Sequence, residues 1–267
     1  MRLDLKLWQR EFGATVSVFA QGTASGGTAS AMTQVGTAVP LIIAPHAELG
    51  AVVPAPPGLA GGRAEYIGVD AGTATIGLGC ELRDSSGTYT VEGTADWRAN
   101  RVLALSKVAN TFTTVSTIDS RPAHKLNLKS WQRDYGATVD IYVQGTVSGG
   151  TAGNLAQVGT AVPMVIVPLG SDGRITAAPF GLADGRATYF GLDMGTARFG
   201  LGAELRTTGG TYVVESVADW RMGRVAGLSK VVTPYTAAVG ETFHILLEDG
   251  SGAILMENSG YVLLEAA

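Results

Sequence analysis

The stretch TYTVEGTADWRANRVLALSKV at residues 88–108 returns as TYVVESVADWRMGRVAGLSKV at residues 211–231. Each residue of the first copy lies 123 positions before its counterpart, as Trp97 does before Trp220. The gap-free alignment extends back to Trp8, and about 60 of about 100 paired positions are identical. A repeat of this length matches a small domain, whereas solenoid units usually span ~20–50 residues. The sequence therefore predicts a tandem duplication of one domain.

The duplication divides the chain into three predicted parts. The first β domain covers residues 1–115, and the second covers residues 116–233. A linker is expected near residues 109–125, where the strong repeat ends. Residues 234–267 have no strong counterpart in the first half and form a separate C-terminal tail.

The quoted stretch itself predicts a β-hairpin. Alternate positions of its first half are expected on one buried face: Tyr89, Val91, Gly93, Ala95 and Trp97. Asn100 and Gly223 then supply residues that tolerate the positive φ of tight turns. We therefore expect four aromatic residues in the two cores: Trp97, Trp220, Tyr89 and Tyr212.

The other segments of each copy also read as short strands. ATVSVFAQG and ATVDIYVQG alternate between apolar and polar residues, and AVPLIIAP and AVPMVIVP are apolar runs bounded by proline. No segment holds a sustained helical period. The predicted fold class is all-β, with two closely similar small β-barrel or sandwich domains and a short C-terminal β-meander. Each domain is expected to contain about five to seven strands.

Composition restricts the classes of partner. Charged residues are 16% of the chain, against about 25% in typical soluble domains. The net charge of −4 offers no broad basic face to nucleic acid or to anionic lipid. The first ten residues lack the apolar core of a signal peptide, and no apolar run approaches the ~20 residues of a membrane span. We expect no specific nucleic acid partner, no membrane and no signal peptide.

The sequence offers little chemistry, so no catalytic, cofactor or metal site is predicted. His46, His124 and His244 are not repeated between the copies and have no second metal-type ligand nearby in sequence. GTASGGTA and GTVSGGTA lack the lysine of a phosphate-binding loop and are interpreted as loop tips that order against a partner. Glu81 and Glu204 supply one acid per domain, without a visible second carboxylate. The chain is predicted not to be an enzyme.

Two further features receive structural interpretations. Cys80 aligns with Ala203, which favours a small buried core position over a reactive thiol. Asp96 lies beside the hairpin turn with Arg98 and Arg101, and the favoured interpretation is a cross-strand ion pair on the surface.

The tail is apolar and acidic. It holds three apolar pieces separated by turn residues, and five acidic residues with no lysine or arginine. So short a meander is marginal alone in water, and its exposed edges favour pairing with another chain. The candidate assembly interface combines the loop glycines with the apolar tail residues: Gly22, Gly26, Gly27, Gly145, Gly149, Gly150, Phe243, Ile245, Leu247, Ile254, Leu255, Tyr261 and Leu263.

Each copy resembles the small β-barrel stopper proteins of the head-to-tail connector in tailed bacteriophages. The resemblance lies in the order of pieces: ATVSVF, VPLIIAP and GLGCEL before the quoted hairpin, and ATVDIY, VPMVIVP and GLGAEL before its second version. The tail text LLEDGSG is also similar to short repeats of phage virion proteins. The familiar stopper has one domain, whereas this chain has two and a tail.

The resemblance implies a non-enzymatic virion protein of the neck that is made in the host cytoplasm and assembles into a ring. Its implied partners are further copies of itself and portal, adaptor or tail proteins. The alternatives are a decoration protein bound to the major capsid protein on the head, or a tail component. A third alternative, from another class, is a duplicated carbohydrate-binding module or hydrolase, which exposed tryptophan and tyrosine side chains along a groove would favour.

Overall fold

The computed structural model shows two closed barrels of six strands each, in tandem, with few helices. The prediction of two similar all-β domains is confirmed. The structure describes residues 5–22, 31–49, 56–60, 63–70, 74–97, 100–113, 128–145, 153–170, 185–193, 197–220, 223–236, 244–246 and 253–255.

The first barrel closes in the order β1-β2-β3-β6-β5-β4, and all of its strand pairs are antiparallel. The pairing of β1 with β4 completes the ring, so no strand of the barrel is left without two neighbours. Its elements are α1 Leu5–Phe12, β1 Gly13–Ala20, β2 Thr33–Pro45, α2 His46–Leu49, α3 Pro57–Ala60, β3 Tyr66–Asp70, β4 Glu81–Asp84, β5 Gly87–Trp97 and β6 Asn100–Val108.

The second barrel repeats this architecture, closing in the order β10-β11-β12-β9-β8-β7. Its elements are α4 Leu128–Tyr135, β7 Gly136–Val143, β8 Ala156–Pro168, β9 Tyr189–Asp193, β10 Glu204–Thr207, β11 Gly210–Trp220 and β12 Gly223–Val231. Every one of these strands begins and ends 123 residues after its counterpart, as the gap-free repeat requires.

Each barrel is entered by a helix that continues directly into the first strand. A side chain at the junction would collide with the last helical turn, because a Cβ on Gly13 would lie 2.1 Å from the carbonyl oxygen of Gln9. A Cβ on Gly136 would lie at the same distance from the carbonyl oxygen of Gln132. Glycine at both junctions therefore allows the abrupt change from helix to strand.

The long strand β5 does not keep one buried face, so the predicted alternation is wrong beyond its middle. Its register with β6 shifts between Val91 and Gly93, which makes Glu92 the extra residue of a β-bulge. Before the bulge, Tyr89 and Val91 belong to the cluster inside the barrel. After it, Trp97 belongs to a second cluster on the outer face, under the short helices. Both faces are buried because α1, α2 and α3 cover the outside of the barrel.

The arginine of the expected surface ion pair is buried. In the strand register Arg101 lies opposite Asp96 across the hairpin and opposite Asp70 on the other side, and Arg101 and Asp70 are almost fully buried. The Arg101 guanidinium donates to the carbonyl oxygens of Ala74 and Ile76, at 3.3 and 3.1 Å. Burial lowers the pKa of Arg101, and the nearby carboxylates oppose that shift. The Arg101 side chain therefore fixes the loop before β4.

The tail contributes two short described strands, β13 His244–Leu246 and β14 Ala253–Leu255. They pair antiparallel, with Ile245 opposite Ile254. The third apolar piece of the predicted meander lies outside the described residues. Across the described part of the chain, no helix has the length and apolar character needed to span a membrane.

Candidate assembly interface

The two barrels contact one another through reciprocal hydrogen bonds. The Gln144 side-chain oxygen, in the second barrel, accepts from the backbone N–H of Leu78 at 3.0 Å. The Gln21 side-chain oxygen, in the first barrel, accepts from the N–H of Leu201 at the same distance. Gln21 and Gln144 are repeat counterparts, and so are Leu78 and Leu201. The barrels are therefore related by an approximate twofold axis, as in an isologous dimer.

Gly79 and Gly202 lie where this axis crosses the contact. A Cβ on Gly79 would be 2.5 Å from the Leu201 carbonyl group, and a Cβ on Gly202 would be 2.7 Å from the Gly79 nitrogen. Both glycines also have a positive φ of 74°. The two backbones approach one another so closely that no larger residue fits at either position.

Four charged side chains form a closed quartet across the same contact. Arg63 Nη1 donates to Glu215 at 2.9 Å, and Arg186 Nη1 donates to Glu92 at 3.2 Å. Longer contacts of 3.6 and 3.9 Å join Arg63 to Glu92 and Arg186 to Glu215. Because each short contact joins different barrels, the quartet connects the two domains. The carboxylates are only 3–4% exposed, so little solvent screens these charges.

The environment of Glu92 changes the pKa of its carboxyl group. Burial, followed by the nearby charge of Glu215, raises the pKa of Glu92 to about 7, while Arg63 and Arg186 oppose the shift. The bulge in β5 is what places this carboxylate toward the other barrel. Gly58 in α3 leaves room for it, because a Cβ there would lie 2.6 Å from the Glu92 Cβ.

Each barrel ends in an arm, residues 109–113 in the first and 232–236 in the second, that leaves its last strand. The backbone N–H of Phe112 donates to Glu81 at 2.7 Å, and that of Tyr235 donates to Glu204 at 2.6 Å. These glutamates belong to the arm's own barrel and are also bound by Arg83 and Arg206. The two predicted acids are therefore structural anchors of the arms.

The aromatic ring of each arm enters the opposite barrel. Phe112 belongs to the interior cluster of the second barrel, which also contains Val217. Tyr235 reaches Thr94 of β5 in the first barrel, with 2.8 Å between the two hydroxyl oxygens. The Tyr235 hydroxyl also donates to the Thr94 carbonyl oxygen at 3.2 Å and accepts from Gln144 Nε2 at 2.9 Å. Each ring therefore acts as a plug for the neighbouring barrel.

A cavity of about 290 Å³ lies between the barrels beside the second arm. Its wall includes Arg63, Glu92, Glu215 and Tyr235, and Gly79 and Gly202 contribute at the axis. A second cavity, of about 30 Å³, is lined by Gly22 and Gly145. Two of the predicted interface glycines thus lie at the contact between barrels of one chain.

The remaining predicted interface residues are placed less fully. Ile245 lies in β13, and Ile254 and Leu255 lie in β14, where only the backbone is described. The others lie outside the described residues: Gly26, Gly27, Gly149, Gly150, Phe243, Leu247, Tyr261 and Leu263.

Three of the four aromatic residues predicted for the cores have described side chains, and all three are buried. Trp97 is 1% exposed, and Tyr89 and Tyr212 are also buried. Tyr89 packs edge-on against Tyr66 with 5.4 Å between ring centroids, and Tyr212 packs likewise against Tyr189 at 5.2 Å. Trp220 ends β11, and its side chain lies outside the described part of the structure.

The other predicted positions carry no clustered chemistry. Cys80 is buried, and burial raises the pKa of its thiol to about 11. His46 begins α2, His244 begins β13, and His124 lies outside the described residues. Within the described ranges, no group of three or more metal-binding side chains occurs.

In each barrel, the first half of the second strand pairs with a described strand on one side only. β2 pairs with β3 only from Leu41 onward, so residues 33–40 have a partner only in β1 among the described strands. Gln34 Nε2 donates to the Gly36 carbonyl oxygen and to Thr37 Oγ1, and Gln157 repeats this arrangement in β8. A glutamine side chain and a bulge at Ala38, with φ of 53°, protect this edge from further pairing.

Sequence reasoning missed the quartet and the plugs. Six residues are involved, and the offset of 123 pairs them in type or in chemistry: Arg63 with Arg186, Glu92 with Glu215, and Phe112 with Tyr235. The alignment continues without a gap through Thr113 and Thr236, past the end of the strong repeat. That continuation was the available sign that the arms belong to the domains. It also means that Tyr235, beyond the division at residue 233, is buried in the body of the protein.

Comparison with known proteins identifies no relative: no family model, no curated protein and no solved structure matches the chain.

Proposed function

We propose that the protein is a structural, non-enzymatic component of a tailed-phage virion and that it occupies a stopper-like position in the head-to-tail connector. The observation that carries the proposal is the reciprocal pairing of two near-identical barrels, which makes each chain a preassembled twofold unit. Duplication holds the two barrels together at high effective concentration, so the unit forms without a second chain. A unit of this kind suits a building block of a larger assembly.

The pairing also limits how such units join. An isologous contact is closed, because both copies of the surface are used within one pair. A ring of chains must therefore form through other surfaces. The tail after Thr236 is the best candidate in the sequence, because it combines short apolar strands with five acidic residues. Burial of its apolar side chains contributes about 25 cal/mol per Å², and strand addition satisfies the free edges.

Sugar binding receives no comparable support. The described aromatic residues of the paired strands, Trp97, Tyr89 and Tyr212, are buried. The head-decoration and tail-component alternatives would use the same paired barrels as the unit of assembly and differ only in the location of that unit in the virion.

The test compares the full-length chain with a chain that ends at Thr236, using light scattering after size-exclusion chromatography and incorporation into phage particles. We expect the shorter chain to keep both barrels folded but to lose oligomerisation and incorporation. A matched full-length control carries Ile245→Asp and Ile254→Asp, at positions paired between β13 and β14, and should behave like the truncated chain. Unchanged mass and normal incorporation for both variants would remove the tail from assembly and overturn the proposal.

A further inference from the structure

The contact between the barrels contains one feature that distinguishes its two halves. The glutamines, glycines, arginines and glutamates that cross the contact are of the same type on both sides. On these contacts alone, a first barrel fits another first barrel as well as it fits a second barrel. Discrimination between the possible pairs must therefore come from the remaining contacts, which include those of the plugs.

The two plugs and their sockets differ in polarity. Tyr235 meets Thr94, and both residues are buried with their hydroxyl groups hydrogen-bonded to each other. At the counterpart positions, Phe112 shares a buried cluster with Val217, which carries no polar atom in its side chain. A polar plug therefore occupies a polar socket, and an apolar plug occupies an apolar socket.

Pairing of like barrels breaks both matches. In a pair of first barrels, Phe112 would face Thr94. The buried Thr94 hydroxyl would then lack the tyrosine hydroxyl as its hydrogen-bond partner. In a pair of second barrels, Tyr235 would face Val217 and lose its bond to the Thr94 hydroxyl, because valine offers only a backbone carbonyl oxygen in place of the two oxygens of Thr94. A buried hydroxyl that loses its hydrogen bond carries a substantial desolvation penalty, and such penalties are how proteins reject wrong partners.

We propose that the match of Tyr235 with Thr94, and of Phe112 with Val217, is a recognition code that makes the first barrel pair with a second barrel and reject another first barrel. The partner of each pairing surface is therefore the unlike barrel, either of the same chain or of another copy. Without this code, chains would also join through like barrels, first to first and second to second. The code thus restricts each pairing surface to the unlike barrel.

The test cuts the linker and counts the pairs. A protease site is placed between Thr113 and Leu128 of the full-length chain, and the folded protein is cut, denatured and renatured. Native mass spectrometry then separates the three possible pairs by mass. For the natural sequence, we expect the ratio of unlike pairs to like pairs to exceed its statistical value by about tenfold or more, which corresponds to about 1.4 kcal/mol.

Two variants make the test specific. Thr94→Val with Tyr235→Phe gives both barrels the same plug and socket, and should return the three pairs to statistical proportions. Adding Phe112→Tyr and Val217→Thr reverses the code and should restore the excess of unlike pairs. An unchanged excess in the first variant, or no recovery in the second, would overturn the proposal.

A double-mutant cycle on the uncut chain provides a measurement that does not need reassembly of the halves. The unfolding equilibrium is measured for the natural chain, for Thr94→Val, for Tyr235→Phe and for the double variant. We expect the two single effects to be coupled by about fivefold or more, since each removes the partner of the other. Additive effects would show that the two hydroxyl groups do not recognise each other, and the code would be refuted.

Discussion

At the scale of single residues, the environment of Glu92 changes the behaviour of an ordinary carboxyl group. The bulge in β5 directs it into the contact between the barrels, where it meets Glu215 as well as Arg63 and Arg186. Two carboxylates in one poorly solvated place favour proton uptake by one of them. Since the quartet joins the two domains, protonation of Glu92 changes the stability of the contact between them.

This arrangement predicts that stability falls as pH rises. The pKa of Glu92 is near 4.5 in the unfolded chain and is raised to about 7 in the folded protein. The folded state therefore binds the proton more tightly, so the stabilisation is complete below about pH 4.5 and is lost as pH rises through about 7. We expect a decrease of about 1–3 kcal/mol between pH 5 and 8. Urea unfolding across this range measures it.

Glu92→Gln is the control for that measurement. The variant cannot titrate at this position, so its unfolding free energy should vary much less between pH 5 and 8 than that of the natural protein. An equal pH dependence in both proteins would assign the effect to other groups.

The side chain of Trp97 provides a prediction for the first core. It is 1% exposed in the cluster beneath the short helices, so its removal leaves a large cavity. Trp97→Ala should reduce the unfolding free energy by about 3–5 kcal/mol. Val232→Ala, at a side chain that is 94% exposed, should change it by less than about 0.5 kcal/mol. Denaturant titration compares the two, and similar small effects would contradict the assigned burial.

At the scale of elements, local sequence was sufficient for the strands but not for their faces. Alternation and turn residues predicted the hairpin around Asn100, and the repeat carried the prediction to the second barrel. The face of Trp97 was predicted incorrectly because a bulge depends on how two strands pair, which one strand's sequence does not show. The buried state of Arg101 was missed for a similar reason, since β3 and the loop before β4 surround it.

The interface was beyond local reasoning. The Arg63–Glu215 bond joins residues 152 positions apart, and the Gln21–Leu201 bond joins residues 180 apart. No local sequence pattern encodes such contacts, although each residue in them has a counterpart 123 positions away in the other domain. A repeat alone says that two domains are alike, and it does not say which surfaces they share.

The loops at the twofold axis give a matched pair of predictions. Gly79→Ala introduces a Cβ at 2.5 Å from the Leu201 backbone, whereas Gly185→Ala has nothing within 4 Å. Both glycines have a φ of 74°, so the cost of the backbone conformation, about 1–2 kcal/mol, is common to the two variants. Gly79→Ala should therefore be more destabilising and should separate the barrels. Thermal unfolding and small-angle scattering measure these effects, and equal behaviour of the two variants would argue against close contact.

At the scale of the whole molecule, the arms make the two barrels depend on each other. Each arm is anchored to its own barrel by Glu81 or Glu204, and its aromatic side chain is buried at the other barrel. A defect in one plug should therefore weaken the opposite barrel.

Two truncations test this dependence. A chain that ends at Thr236 retains Tyr235, and its stability should remain within about 1 kcal/mol of the full-length protein. A chain that ends at Pro234 lacks the plug of the first barrel, and should lose about 3–5 kcal/mol, as expected for removal of a large buried aromatic side chain. Hydrogen exchange should place that loss in β5 and its neighbours. Equal hydrogen-exchange protection in the two chains would contradict the insertion of Tyr235 into the first barrel.

The crossing arms also have a consequence for synthesis on the ribosome. Thr94 must wait for Tyr235, which is 141 residues further along the chain. At about 5–20 residues per second, that interval is roughly 7–28 s. Throughout it the first barrel has an unfilled end while the second is still being translated, and we expect nascent chains to need protection from aggregation during this period.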